Sequence, residues 1–189
     1  MTDLLTLWLP ILASAAAVFV ASYLMWMVLP HHRSDWGPLP DEDGFMNTLR
    51  DLGVRGPGQY SFPYCGSAEE FKNPELIKKM ENGPSGMLTV MKPGPLNMGS
   101  SMLLCFLQYV GIGVLVAYAA SRVMAPGTDY LKVFQLTGTM AILAYCASLP
   151  TQSIWFHQKW SGTLKSMLDG VVYGLITAGL FGWLWPDAA

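Results

Sequence analysis

The chain has 189 residues, of which 52% are hydrophobic and 13% charged, with a formal net charge of −2. Soluble domains carry about 25% charged residues, so an ordinary water-soluble domain is excluded. The slight acidity gives no basic patch for nucleic acid.

The charge deficit is concentrated. Residues 4–29, 100–121, 133–158 and 170–186 contain no Asp, Glu, Lys or Arg. A helix needs about 20 apolar residues to cross a hydrocarbon core about 30 Å thick. Four segments reach or approach that length: Leu4–Leu29, Ser100–Arg122, Tyr130–Leu149 and Ser166–Trp185. The expected fold class is an all-α membrane protein with four transmembrane helices and a small hydrophilic α+β insert between helices 1 and 2. The expected organisation is transmembrane helix 1 over 1–29, a hydrophilic cap over 30–99, and helices 2–4 over 100–189.

The first helix reads as retained rather than cleaved. Met1–Asp3 has no basic residue, and the apolar run outlasts a signal h-region of about 7–15 residues. Pro30 closes it. "LPHHRSDW" follows, with His31, His32 and Arg33 set to complement the helix C-terminus and to reach lipid headgroups.

Residues 30–99 hold nine of the 13 acidic and seven of the 11 basic residues. "DEDGFMNTLRDLG" spaces Phe45, Leu49 and Leu52 as a short helix with Gly53 as its stop. Ser67 and Glu70 fit a capping box. Asn73, Pro74 and Gly83 frame a second helix. The flanking "QYSFPYC" and "GMLTVMK" read as two edge strands, the first weakened by Pro63. The insert is expected to lean on the bilayer or on the helix bundle.

The second and third apolar segments are joined by the short "VMAPGTD" and should be antiparallel neighbours. The fourth carries Gly170, Gly174, Ala178 and Gly182 at four-residue spacing. The first has Ala13, Ala17 and Ala21, and the second Gly113, Ala117 and Ser121. Small-residue stripes let helix backbones approach closely in lipid, within one bundle or between copies.

Basic residues favour the cytoplasmic side. Arg33, Arg50, Lys92, Lys159 and Lys165 outnumber Arg122 and Lys132 on the opposite side. The 30–99 loop is therefore expected in the cytoplasm and both termini outside. Trp8, Trp183 and Trp185 mark one interface, and Trp26, Trp155 and Trp160 the other.

Intramembrane ionisable groups usually mark transport paths, and here they are scarce. Asp169 reads as an acid near a helix N-terminus, favoured by the dipole and close to Lys165. Gln108 and Gln135 read as interhelical hydrogen-bonding groups. A transporter or channel is thus disfavoured.

His31, His32, His157 and Cys65, with Asp35, fall on one side of any four-pass threading. Imidazole, thiolate and carboxylate are metal-ligand types. Adjacent histidines point apart in a helix or a strand, which argues against one ion taking both. No histidine lies inside the bundle for a b-type haem, so metal or haem remains the lesser alternative and the cofactor is left open. Three cysteines without CxxC spacing give neither a disulfide framework nor a zinc pattern. Cys65 precedes a capped helix, but no His–Asn partner motif accompanies it. No GxSxG, HExxH or Walker loop occurs.

"SIWFHQKWSGTLKSMLDGVVYGLITAGLFGWLWP" and "LPHHRSDWGPLPDED" resemble a family of uncharacterised bacterial multi-pass membrane proteins. The resemblance spans most of the chain. It implies a bacterial inner-membrane location and carries no assigned activity, cofactor or catalytic residue.

The expected function is non-enzymatic: a scaffold or assembly protein contacting the lipid bilayer and either copies of itself or a larger membrane complex. The alternative is a membrane-bound metal or redox protein using the interfacial histidines.

Overall fold

The computed structural model describes residues 2–95 and 97–188. Four helical spans are long and apolar enough to cross a membrane: Leu4–Val28, Met98–Val123, Tyr130–Phe156 and Trp160–Trp183. The chain divides into two compact units, residues 38–96 and the remainder. Residues 30–37 therefore pack with the helices.

The first span is helix α1 (Trp8–Tyr23), led in by a 3-10 turn at Leu4–Leu7 and continued by one π-helical turn at Leu24–Val28. Asp3 caps the lead-in by accepting from the Leu5 N–H. Pro30 opens a 3-10 turn, Pro30–Ser34.

The insert contains α2 (Glu42–Asp51), β1 (Gly58–Phe62), α3 (Pro74–Asn82) and β2 (Gly86–Val90). Its punctuation follows the sequence. Asp41 caps α2 and Gly53 leaves it with φ of 79°. Asn73 caps α3, and Gly83 ends it with φ of 58°. Glu70 donates its N–H to the Ser67 hydroxyl, while the Glu70 carboxylate accepts from Gly66. The strands pair antiparallel, Gly58 opposite Val90 and Phe62 opposite Gly86.

In the other unit, α4 (Met98–Val123) and α5 (Tyr130–Cys146) are joined by a short turn. The third span then breaks. A separate α6 (Leu149–Phe156) begins beside Pro150, whose missing N–H suits a first helical turn. The last helix, α7, runs Trp160–Trp183. It starts six residues before the expected Ser166.

The N-terminus, the α4–α5 turn and the C-terminal segment meet at one end. The Thr2 N–H donates to the carbonyls of Ser121 and Met124. The Trp185 indole donates to Ala125, and the Gly127 N–H to Pro186. Between the ends, Leu7, Ile11, Val116, Val133, Ala141 and Phe181 form the buried core.

The small-residue stripes are used within the chain. A Cβ on Gly170 would lie 2.6 Å from the Cys146 sulfur, and one on Gly182 2.7 Å from the Tyr130 ring. Gly174 sits against the backbone of Ile142, and Ala178 fills the space beside Gly138. All four positions therefore seat α7 on α5. On α4, Gly113 faces Ile11 of α1, and Ala117 is fully buried.

Gly174→Leu should lower the thermal midpoint of the detergent-purified protein, at a cost of about 1–3 kcal/mol from overpacking. Gly111→Leu should leave it unchanged, because nothing lies within 4 Å of a Cβ built there. Equal effects would contradict this account of the α5–α7 contact.

Candidate functional site

At the bundle end opposite the termini, the chain leaving α1 folds back onto α7. From the Pro30–Ser34 turn both imidazoles reach one helix. The His31 Nε2 lies 3.1 Å from Asp169 Oδ1, and the His32 Nε2 lies 2.8 Å from Asp169 Oδ2. Asp35 reaches back to His32, its Oδ2 2.6 Å from Nδ1. The Lys165 ammonium donates to Asp35 Oδ1 at 2.7 Å and to the Ser34 hydroxyl at 2.8 Å. Trp26 stacks flat on His32, with centroids 3.8 Å apart and planes 7° apart. A Cβ on Gly162 would lie 3.4 Å from the Asp35 carboxyl carbon.

Asp169 and His32 are 3% and 6% exposed, so both are shielded from water. Burial opposes charge on the His32 ring, but its hydrogen bonds to Asp169 and Asp35, and their negative fields, prevail. They hold its pKa above the ordinary 6.5. Hydrogen bonds from Lys165 and His32 hold the Asp35 carboxyl below its ordinary 3.8. With His32 protonated, both its ring nitrogens donate, one to each carboxylate.

Three expectations are revised. Asp169 is not at a helix N-terminus: it lies about two and a half turns inside α7 at 3.6 residues per turn, because the helix starts at Trp160. Its partners are the histidines, and Lys165 pairs with Asp35 instead. His31 and His32 do not simply extend toward headgroups, because Asp169 draws both rings inward. Gln108 and Gln135 do not bond across the bundle, since both are exposed on the outer faces of α4 and α5.

His157 does not join the cluster of His31, His32 and Asp169. His157 is exposed and ends α6 in the left-handed conformation, φ of 53°. Cys65 is in the insert, its thiol donating to the Ser67 carbonyl. Among the described residues, the His, Cys, Asp and Glu side chains close enough to share a metal ion are His31, His32 and Asp169, their ligand atoms within 4.8 Å of one another.

Deeper in the bundle, Tyr145 packs edge to face on Tyr109 and Tyr173, which are tilted against each other, with centroids 5.6–6.2 Å apart. Tyr173 is one turn beyond Asp169 on α7. Its hydroxyl is buried without a hydrogen-bond partner among the described residues.

No family model, curated protein or solved structure matches the chain.

The network has a pH signature. The stabilisation from His32 is complete below its unfolded pKa of 6.5 and is lost as pH rises through its higher folded value. That from Asp35 is present above 3.8 and is lost as pH falls through its lower folded value. The centre, which also includes His31, Asp169 and Lys165, should be strongest between about pH 4 and 6.5. Thermal melts of chelator-treated protein should show a midpoint falling from pH 6 to 9, and a smaller fall in His32→Gln. An identical profile in both proteins would contradict the assignment.

Proposed function

We propose that this is a multi-pass protein of a bacterial inner membrane that acts by contact, as a scaffold or assembly factor for a larger membrane complex. The observation that carries this reading is Gln108. It is exposed on α4, about 15 Å along the helix from Met98 at 1.5 Å per residue. That depth falls within the hydrocarbon, where lipid offers an amide no hydrogen-bonding partner. Polar side chains on a membrane helix surface act as glue between helices, and small neighbours allow close approach. Gly111, one turn on, is open to the outside. Leu104 and Leu115 complete the same exposed face. On α5, Gln135 and Thr139 are exposed one turn apart.

The insert supports the same reading. Leu76 is its buried apolar side chain among the described residues, while Leu52, Tyr64, Phe71 and Met91 remain exposed. Such uncovered apolar groups suit a contact surface. The concentration of Lys and Arg near the insert-side helix ends favours a cytoplasmic insert and outward termini.

Photo-crosslinking residues placed at Leu104 and Leu115 should give discrete protein adducts in native membranes, whereas one at Leu168 on α7 should give lipid adducts. Gln108→Leu should cut adduct yield severalfold without changing the thermal midpoint. Lipid adducts alone at all three sites, with a strictly monomeric protein in mild detergent, would contradict the proposal.

A further inference from the structure

We propose that His31, His32 and Asp169 bind one divalent first-row transition-metal ion at the end of the bundle. The donor set is two imidazole nitrogens and one carboxylate, which suits zinc, iron, cobalt or nickel better than magnesium or calcium. Three protein donors leave positions free for water or another ligand, as in open rather than closed sites.

Each Nε2 meets a different oxygen of Asp169, His31 at 3.1 Å from Oδ1 and His32 at 2.8 Å from Oδ2, and one ligand atom from each of the three residues lies within 4.8 Å of the others. With metal–ligand bonds of about 2.1 Å, bound ligand atoms lie about 3.0–3.4 Å apart, so the three donors close onto the ion. The ion would enter by displacing both Nε2–carboxylate contacts and the proton on the His32 Nε2, which is released as the metal binds.

The surroundings resemble those of a prepared ligand. Metal-bound histidines usually give their other N–H to a carboxylate, which fixes the tautomer and ring orientation. Asp35 does this for His32 through Nδ1 at 2.6 Å. Lys165 holds the other Asp35 oxygen, and Trp26 fixes the ring plane. His31 supplies the approach, since its side chain is 28% exposed while that of Asp169 is 4% exposed.

Neighbouring histidines seldom share an ion because regular helix or strand geometry points them apart. Here the side chains converge in spite of the backbone: the two rings lie 4.2 Å apart, tilted by 44°, and both reach the Asp169 carboxylate. A simple ion pair explains one imidazole on Asp169, with Lys165 already matching Asp35. A bound cation gives the second a role.

The test is titration of the full-length protein, purified with a tag free of histidine and stripped with chelator, using Co²⁺ followed by its visible spectrum. Zn²⁺ competition then reads affinity. One Co²⁺ per chain is expected, with a ligand-field band that Zn²⁺ removes. His31→Ala should weaken affinity at least tenfold, Asp35→Asn by about 10–100-fold as a positioning carboxylate, and His157→Ala should leave it unchanged. Asp169→Asn removes a buried hydrogen-bonding carboxylate and lowers stability along with any metal affinity, so the partly exposed His31 carries the decision, with circular dichroism confirming the fold. Absence of one-to-one binding by the folded protein would overturn the site. So would unchanged affinity in His31→Ala, or a loss as large in His157→Ala.

Discussion

A carboxylate two and a half turns inside a membrane-spanning helix must find hydrogen-bonding partners, and Asp169 finds them in the two residues after Pro30. Removing one partner from a buried ion pair costs about 3–5 kcal/mol, because the other charge is left without compensation. That penalty ties the segment leaving α1 to α7. Pro30 stops the first span, both imidazoles turn inward onto Asp169, and Asp35 returns to brace His32. Lys165 on α7 closes the loop from the opposite side. Two elements more than 130 residues apart in sequence are thereby held at one point.

The close seating of α7 on α5 makes this geometry reproducible. Gly170 lies immediately after Asp169 and admits Cys146 and Tyr145 of α5, while Cys146 donates its thiol to the Met167 carbonyl. The small residues are consumed by this internal contact and by Gly113 against α1. Those of α7 and α4 therefore serve internal packing. A motive for association lies in the outward amides, Gln108 and Gln135, which internal packing leaves without partners in the bundle.

The four spans were legible because charge-free windows of membrane length have few other uses. The caps of α2 and α3 were legible because Asn, Pro and Gly act locally. The start of α7 was hidden: "WSGTLKSM" is polar enough to read as loop, and its helicity comes from contacts with α6 and with Asp35. Ser153 and Thr163 share a hydrogen bond, and Gly162 lies against the Asp35 carboxyl. That hidden start disguised Asp169 as a helix-end acid. The site itself was half legible. His31 and His32 were suspected from residue type, and Asp35 from its side of the membrane. Their convergence depends on side-chain contacts with Asp169, 137 and more residues away in sequence, which no local periodicity describes. His157 shares the chemistry but not the cluster, because side of the membrane is a much weaker constraint than distance.

The most direct test of the Asp169–His32 contact is a double-mutant cycle on unfolding free energy, using His32→Gln, Asp169→Asn and the double variant at pH 6. A hydrogen bond between charged groups is worth about 1.5–3 kcal/mol, and residues in direct contact are non-additive. The structure predicts a coupling energy of at least about 1 kcal/mol. Additive single effects would show that the two side chains do not meet, and the centre built around Asp169 would fall with them.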